Sequence, residues 1–147
     1  MYKLGKGSLK KLESVHHDLV KIIKLAITRT PIDFGISEGH RSLERQKELY
    51  DQGKSKIDGI NKKGKHNYSP SLAIDLYAYH PDIEVRKKLA YDVPTLCLIA
   101  GVIISCADEL KAKGDIKHSI RWGGNWDNDG VILYDQRFDD LPHFELV

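Results

Sequence analysis

The sequence predicts an α+β fold, a small antiparallel sheet with helices packed around it. Three observations lead there. Apolar residues recur at helical spacing from Leu9 to Ala26. A second stretch, Leu96 to Ala107, is nearly all apolar and reads as the most buried helix. Interleaved with them are short strand-like segments bounded by turn residues, at Ile32–Glu38, Leu72–Tyr79, Ile120–Gly123 and the C-terminus. Helices and short strands in this order are the pattern of an α+β domain. A length of 147 residues suits one domain, 1–147, with a single core.

The elements follow in order. Ser8 is placed to cap a helix running to about Thr30, with Leu9, Leu12, Val15, Leu19, Ile22, Ile23 and Ala26 on one face. His16 and His17 fall inside it and point about 100° apart, which argues against a shared metal and for surface or partly buried positions. Pro31 ends the helix and Ile32–Glu38 alternates as a strand. Gly39-His40-Arg41-Ser42 turns the chain, and Ser42 caps a helix from Leu43 to Gln52 that Gly53 closes. Lys54–Lys65 is a polar loop with five lysines, read as a solvated loop near an anionic ligand. The strand Leu72–Tyr79 leads through His80-Pro81-Asp82 to a helical region, Ile83–Lys113, interrupted near Pro94 and stopped by Gly114. Asp127-Asn128-Asp129-Gly130 resembles the opening of a calcium loop, but Phe138 stands where the bidentate glutamate belongs, so it reads as a turn. Cys97 and Cys106 read as small buried residues.

Composition excludes little. Hydrophobic content of 41% and charged content of 30% are those of an ordinary globular protein, and a net charge of +2 permits an anionic partner without demanding one. No segment runs ~18 apolar residues, so no bilayer span is expected. Met1–Gly7 lacks the apolar core of a secretory signal. The lysine loop has no interleaved aromatics or arginines, which argues against nucleic acid.

Chemistry concentrates in two stretches. In Lys65–Leu76 a histidine, His66, lies in a polar loop and Asp75 sits among Leu72, Ala73, Ile74, Leu76 and Tyr77. A carboxylate in such surroundings needs a cation, a donor or a metal. The second stretch, Pro142-His143-Phe144-Glu145-Leu146, supplies another histidine. Two imidazoles and a carboxylate, with one position open, form a catalytic zinc set. Asp140, three residues before His143, could take a proton from an attacking water, and Arg41 could face the oxyanion. Seven histidines occur, so the residues by themselves leave alternatives open. Asp75 could be a buried structural carboxylate, His143 a hydrogen-bonded core residue and Arg41 a structural ion-pair partner. Trp122 and Trp126 could line a cleft or pack in the core, and Tyr68 is given no role. Glu145 is expected to face away from the metal side, with a role in orienting an imidazole left open.

Three segments carry a resemblance: Ser37–Ser42, His66–Asp75 and Asp140–Glu145, together with Arg121–Trp126. In this order they resemble the zinc peptidases of the D-alanyl-D-alanine carboxypeptidase and dipeptidase superfamily. Within it the chain is most similar, over nearly its whole length, to phage endolysins that are L-alanyl-D-glutamate endopeptidases. The resemblance implies one zinc ion on His66, Asp75 and His143, Asp140 as general base, and Arg41 on substrate or oxyanion. Trp126 is a candidate substrate contact. The spacing from His66 to Asp75 is longer than in many relatives, with the excess at Ser69-Pro70, and the base is aspartate where many have glutamate. The implied function is cleavage of the peptide stem of bacterial peptidoglycan at L-Ala–D-Glu, with host-wall lysis as the outcome. It implies a monomer without nucleic acid or stable membrane association, made in the cytoplasm and reaching the wall through a membrane lesion. The alternatives are a D-Ala–D-Ala carboxypeptidase or dipeptidase on the same scaffold, a non-catalytic zinc-containing wall-binding protein, and a small metal-dependent nuclease.

Overall fold

The computed structural model describes residues 1–147. Five helices and a 3-10 turn surround one four-stranded antiparallel sheet of order β1-β2-β4-β3. The strands are β1 (Phe34–Glu38), β2 (Ala73–Ala78), β3 (Ile120–Gly123) and β4 (Asp140–Leu146). The helices are α1 (Lys6–Leu12), α2 (His17–Arg29), α3 (Leu43–Asp51), α4 (Ile83–Leu89) and α5 (Val93–Ala112). The expected α+β architecture is therefore present.

The N-terminal helix differs from expectation, since α1 and α2 are separate. The intervening chain pairs with the segment that enters β2: His16 N–H donates to the Ser71 carbonyl and Ser71 N–H to the Ser14 carbonyl. Apolar spacing continues through the break because Val15 is buried there too, so periodicity could not reveal it. His16 starts α2 as its cap, its Nδ1 accepting from the Asp18 N–H at 3.1 Å. Ser8 is not a cap: it lies inside α1, which Gly5 precedes, and its hydroxyl accepts from Ile36 N–H at 2.9 Å and ties α1 to β1. Other local signals hold. Ser42 accepts from Arg45 N–H to start α3, and Asp92 caps α5 with Pro94 in its first turn. Gly53 and Gly114 adopt φ of +72° and +78° just past α3 and α5, a conformation glycine reaches at no steric cost.

The sheet has two unlike faces because strand side chains alternate. Phe34, Ile36, Ile74, Leu76, Phe144 and Leu146 are buried in one core with α2 and α5. By length and composition α5 is apolar enough to cross a bilayer, which the sequence reading did not anticipate. Here Leu96, Ile99, Ala100, Ile103, Cys106 and Ala107 of α5 pack in the core. Cys97 and Cys106 are free thiols. The opposite face carries Asp75, His143, Glu145 and Arg121, and β-pairing aligns them. Asp75 lies directly across from His143, and Arg121 across from Glu145.

A second polar anchor holds the core closed. Asp18, 2% exposed in the first turn of α2, accepts from the backbone N–H of Lys117 and His118 and pairs with His118 Nδ1 at 2.7 Å. Burial opposes its ionisation, but the bonds from His118 and Lys117 prevail and hold its pKa at about 2, below the usual 3.8. A depressed carboxylate pKa adds stability above the unfolded value, lost as pH falls from about 4 toward 2. The difference corresponds to roughly 2 kcal/mol. Asp18→Asn is therefore expected to lower stability by about that amount at pH 7 and to flatten the acid limb of the stability curve between pH 4 and 2. Denaturant melts of both proteins across that range would reveal parallel curves if Asp18 did not act this way.

Candidate metal centre and active site

His66 comes from the short 3-10 turn Lys65–Asn67, which is tied down on both sides. Arg41 N–H donates to the His66 carbonyl and Leu72 N–H to the Lys65 carbonyl. Asn67 accepts from Gly64 N–H and donates to the Arg41 carbonyl. The ring of His66 is buried, and its Nδ1 lies 2.8 Å from the Gly39 carbonyl oxygen. A carbonyl only accepts, so Nδ1 carries the proton and Nε2 presents its lone pair. His143, on β4, is oriented the other way round. Its Nε2 lies 2.8 Å from Glu145 Oε1, which leaves Nδ1 free to face the same point.

The three free donor atoms converge. His66 Nε2 is 3.3 Å from His143 Nδ1 and 3.3 Å from Asp75 Oδ1, and His143 Nδ1 is 3.2 Å from Asp75 Oδ1. Donors held tetrahedrally at ~2.0–2.1 Å from a zinc ion stand ~3.3 Å apart, with a fourth position open when the protein supplies three. The set therefore fits a zinc-sized tetrahedral cation in edge length and in donor type. Three acceptors aimed at one another also repel unless a cation lies between them. Without a cation between the donors, His143 itself takes up positive charge. Burial would lower the His143 pKa, yet the bonds to Asp75 and Glu145 overrule it and raise it to about 9. Asp75 is held far below the usual carboxylate range, its burial outweighed by the bonds to His143 and His66.

A ring of outer contacts fixes these groups. Arg41 is mostly buried and grips Glu38 with Nε and Nη2, at 2.8 and 2.6 Å, while Nη1 donates to Gln46 Oε1 at 3.0 Å. Nη2 also reaches Asp75 Oδ2 at 3.4 Å, the oxygen that does not face the histidines. A guanidinium has five N–H groups; these contacts engage four of them and leave one on Nη1. Arg41 thus positions Asp75 as well as lining the cleft. Glu145 does not face away. Residues two apart on a strand share a face, so Glu145 accepts from His143 and takes Arg121 Nη2 at 2.8 Å on its other oxygen. Neutralising this carboxylate with Glu145→Gln is expected to lower metal affinity by ~10–100-fold. Competition against a chromophoric chelator measures it, and an unaltered affinity would mean that Glu145 does not orient His143.

Asp140 begins β4 and lines the same cavity, of ≈ 600 Å³. Burial and the neighbouring Asp75 charge push its carboxyl up, against the pull of His143, His66 and Arg41. The backbone at this point approaches β3 very closely. A Cβ on Gly123 would stand 2.0 Å from the Asp140 carbonyl oxygen, so only glycine permits this register. The two tryptophans divide between core and cleft. Trp122 packs on Phe144 with Nε1 donating to the Leu141 carbonyl, while Trp126 lines the cleft with its ring 5.5 Å from that of His143. Tyr68, 41% exposed, is also on the cleft wall.

Glu145 orients an imidazole, the role left open for it, and two other residues of the site, Gln46 and Glu38, have no role in the sequence reading. Gln46 is fully buried within an otherwise polar helix, bonded to Arg41, Ser55 Oγ and the Ile57 carbonyl, and it joins α3, the lysine loop and Arg41. Hydropathy periodicity follows apolar side chains and gives no signal for an inward glutamine. Glu38 enters the sequence reading as the end of a strand and within the Ser37–Ser42 motif, with no partner assigned to it. The spacing Glu38-Gly39-His40-Arg41, with opposite charges three apart beside a turn, was the available hint.

The chain is also similar to known proteins along its length. The chain is 31% identical over 141 residues to the peptidoglycan L-alanyl-D-glutamate endopeptidase CwlK of Bacillus subtilis, covering 89% of this chain and 73% of that protein. Its fold is similar to the crystal structure of the Serratia marcescens L-Ala D-Glu endopeptidase ChiX, with a TM-score of 0.73 and 26% identity over 99% of this chain and 90% of that one. The family model of the phage L-alanyl-D-glutamate peptidases matches residues 1–147, end to end, and the chain belongs to that family.

Proposed function

We propose that the protein is a zinc-dependent endopeptidase that hydrolyses the L-Ala–D-Glu bond in the peptide stem of bacterial peptidoglycan. The observation that carries this reading is the triangle of His66 Nε2, Asp75 Oδ1 and His143 Nδ1, with the Asp140 carboxylate in the same cleft. The family and the named activities of CwlK and ChiX support the choice of bond.

His66, Asp75 and His143 would hold the ion. When bound, zinc lowers the pKa of water toward ~7 and polarises the carbonyl under attack. Asp140 is the general base: it takes a proton from the water as its oxygen attacks the L-Ala carbonyl carbon. The same carboxyl then returns that proton to the D-Glu nitrogen as the C–N bond breaks, giving a free carboxylate and a free amine. Its raised proton affinity suits this work. Arg41 keeps Asp75 oriented through Oδ2 and has one N–H left for the developing oxyanion. Trp126 supports the substrate beside His143. All of these residues come from one chain, so a monomer acting as a single catalytic domain is sufficient. Its action is at the cell wall, reached from the cytoplasm through a membrane lesion, in keeping with the phage family.

Mass spectrometry of digested peptidoglycan tests the reading. New termini at L-Ala and D-Glu are expected. Release of D-Ala would instead transfer the chemistry to a carboxypeptidase, and intact muropeptides after exposure to a zinc-loaded protein would refute the peptidase altogether.

A further inference from the structure

One wall of the cleft is built from lysines. Lys54, Lys56, Lys62, Lys63 and Lys65 all line it. None of the five forms an ion pair, whereas Lys47, Lys87 and Lys113 each pair with a carboxylate three or four residues away on the chain. Three of the four acids in the cleft are already engaged, Glu38 by Arg41, Glu145 by His143 and Arg121, and Asp75 by both histidines and Arg41, which leaves Asp140 as the one unpaired carboxylate against five unpaired lysines. Uncompensated like charges in a concave surface repel one another and focus a positive potential within it. Such a wall suits an anionic ligand.

Three of the lysines are held by specific contacts. Lys65 Nζ donates to the Leu146 carbonyl at 2.9 Å, and Lys63 lies over the Tyr68 ring at 4.4 Å. Lys56 lies over the Phe138 ring at 5.0 Å, which carries it across to the segment bearing Asp140, two residues further on. Lys56 is therefore the wall lysine tied to the general-base side of the cleft. In an L-Ala–D-Glu stem the glutamyl residue carries the scissile nitrogen. One of its two carboxyls continues the chain, and the other is free unless amidated.

Building on the peptidase reading above, we propose that Lys56 recognises this free carboxylate and makes the enzyme selective for stems with the D-glutamyl acid over stems with the amide. An ammonium is a point charge that a carboxylate satisfies and a neutral carboxamide does not.

The test uses two stem peptides that differ only in that group, acid or primary amide. They are offered to the zinc-loaded wild type, Lys56→Gln, Lys56→Arg and Phe138→Leu. The wild type is expected to favour the acid on the order of ten-fold in kcat/KM. Lys56→Gln should bring the ratio near one by slowing the acid alone. Lys56→Arg, which keeps the charge, should retain the preference, and Phe138→Leu, which removes the ring that places the ammonium, should weaken it. A binding measurement stands beside the kinetics. Asp140→Asn should bind the acid more tightly than the amide, and adding Lys56→Gln should erase the difference. An unchanged ratio in Lys56→Gln, or equal cleavage of both peptides by the wild type, overturns the proposal and leaves the peptidase intact. Cleavage of neither peptide by the wild type overturns both.

Discussion

Asp140→Asn will lose ~10²–10⁴-fold of the stem-peptide hydrolysis rate while still binding one zinc ion per chain. The expectation rests on what surrounds this carboxylate. Its proton affinity is set by burial and by the charges of Asp75, His143, His66 and Arg41, with no hydrogen bond from the chain among the causes. A buried carboxyl without an internal hydrogen-bond donor contributes little to the fold. A folded-state pKa raised above the unfolded value means that ionisation weakens the native state as pH rises through that range. In the zinc-free protein Asp140→Asn should therefore be neutral or stabilising at pH 7, with its loss confined to catalysis once zinc is supplied. Thermal melts, zinc content and initial rates on one preparation distinguish the cases. Loss of zinc or of melting temperature alongside activity would make Asp140 a structural residue, and retained activity would remove it from the mechanism.

His66→Ala will lose both the metal and the activity. His66 supplies one corner of the donor triangle, and its ring is held by the Gly39 carbonyl, so no other side chain is positioned to replace it. Two donors remain, Asp75 and His143, and their 3.2 Å contact becomes an ordinary histidine–carboxylate pair. In the wild type, a ligand at a thousand times its Kd stabilises the native state by ~4 kcal/mol. For a chain of this size that amounts to a rise in Tm on the order of 10 °C. Chelation should lower the wild-type Tm by that amount and zinc should restore it, while His66→Ala should respond to neither. A wild type indifferent to chelator in both melting and hydrolysis would contradict the metal centre.

Much of this protein was legible before its structure. Turn chemistry announced Ser42 and Gly53 around α3, Pro94 at the start of α5 and Gly114 after it, because caps and left-handed turns depend on single residue types. The isolated carboxylate in β2 stood out because a charge in an apolar run demands a partner wherever the chain goes, whereas His66 and His143 were distinguished from five other histidines only by the motif segments that contain them. The three motif segments in order were enough to reach the family.

Tertiary structure decided what depends on separation in sequence. The break between α1 and α2 comes from pairing with Ser71, more than fifty residues away, and buried Val15 keeps the apolar rhythm unbroken through it. The strand order β1-β2-β4-β3 brings Asp75 opposite His143 and Glu145 opposite Arg121. Only that register makes Glu145 the partner of the His143 imidazole and gives one Asp75 oxygen to Arg41 and the other to the donor triangle. Gln46 belongs to the same class, since a buried amide is legible only through the groups it joins. A residue's chemistry is local and can be read along the chain, but its orientation is set by hydrogen bonds from distant segments, and these exist only once the sheet has formed.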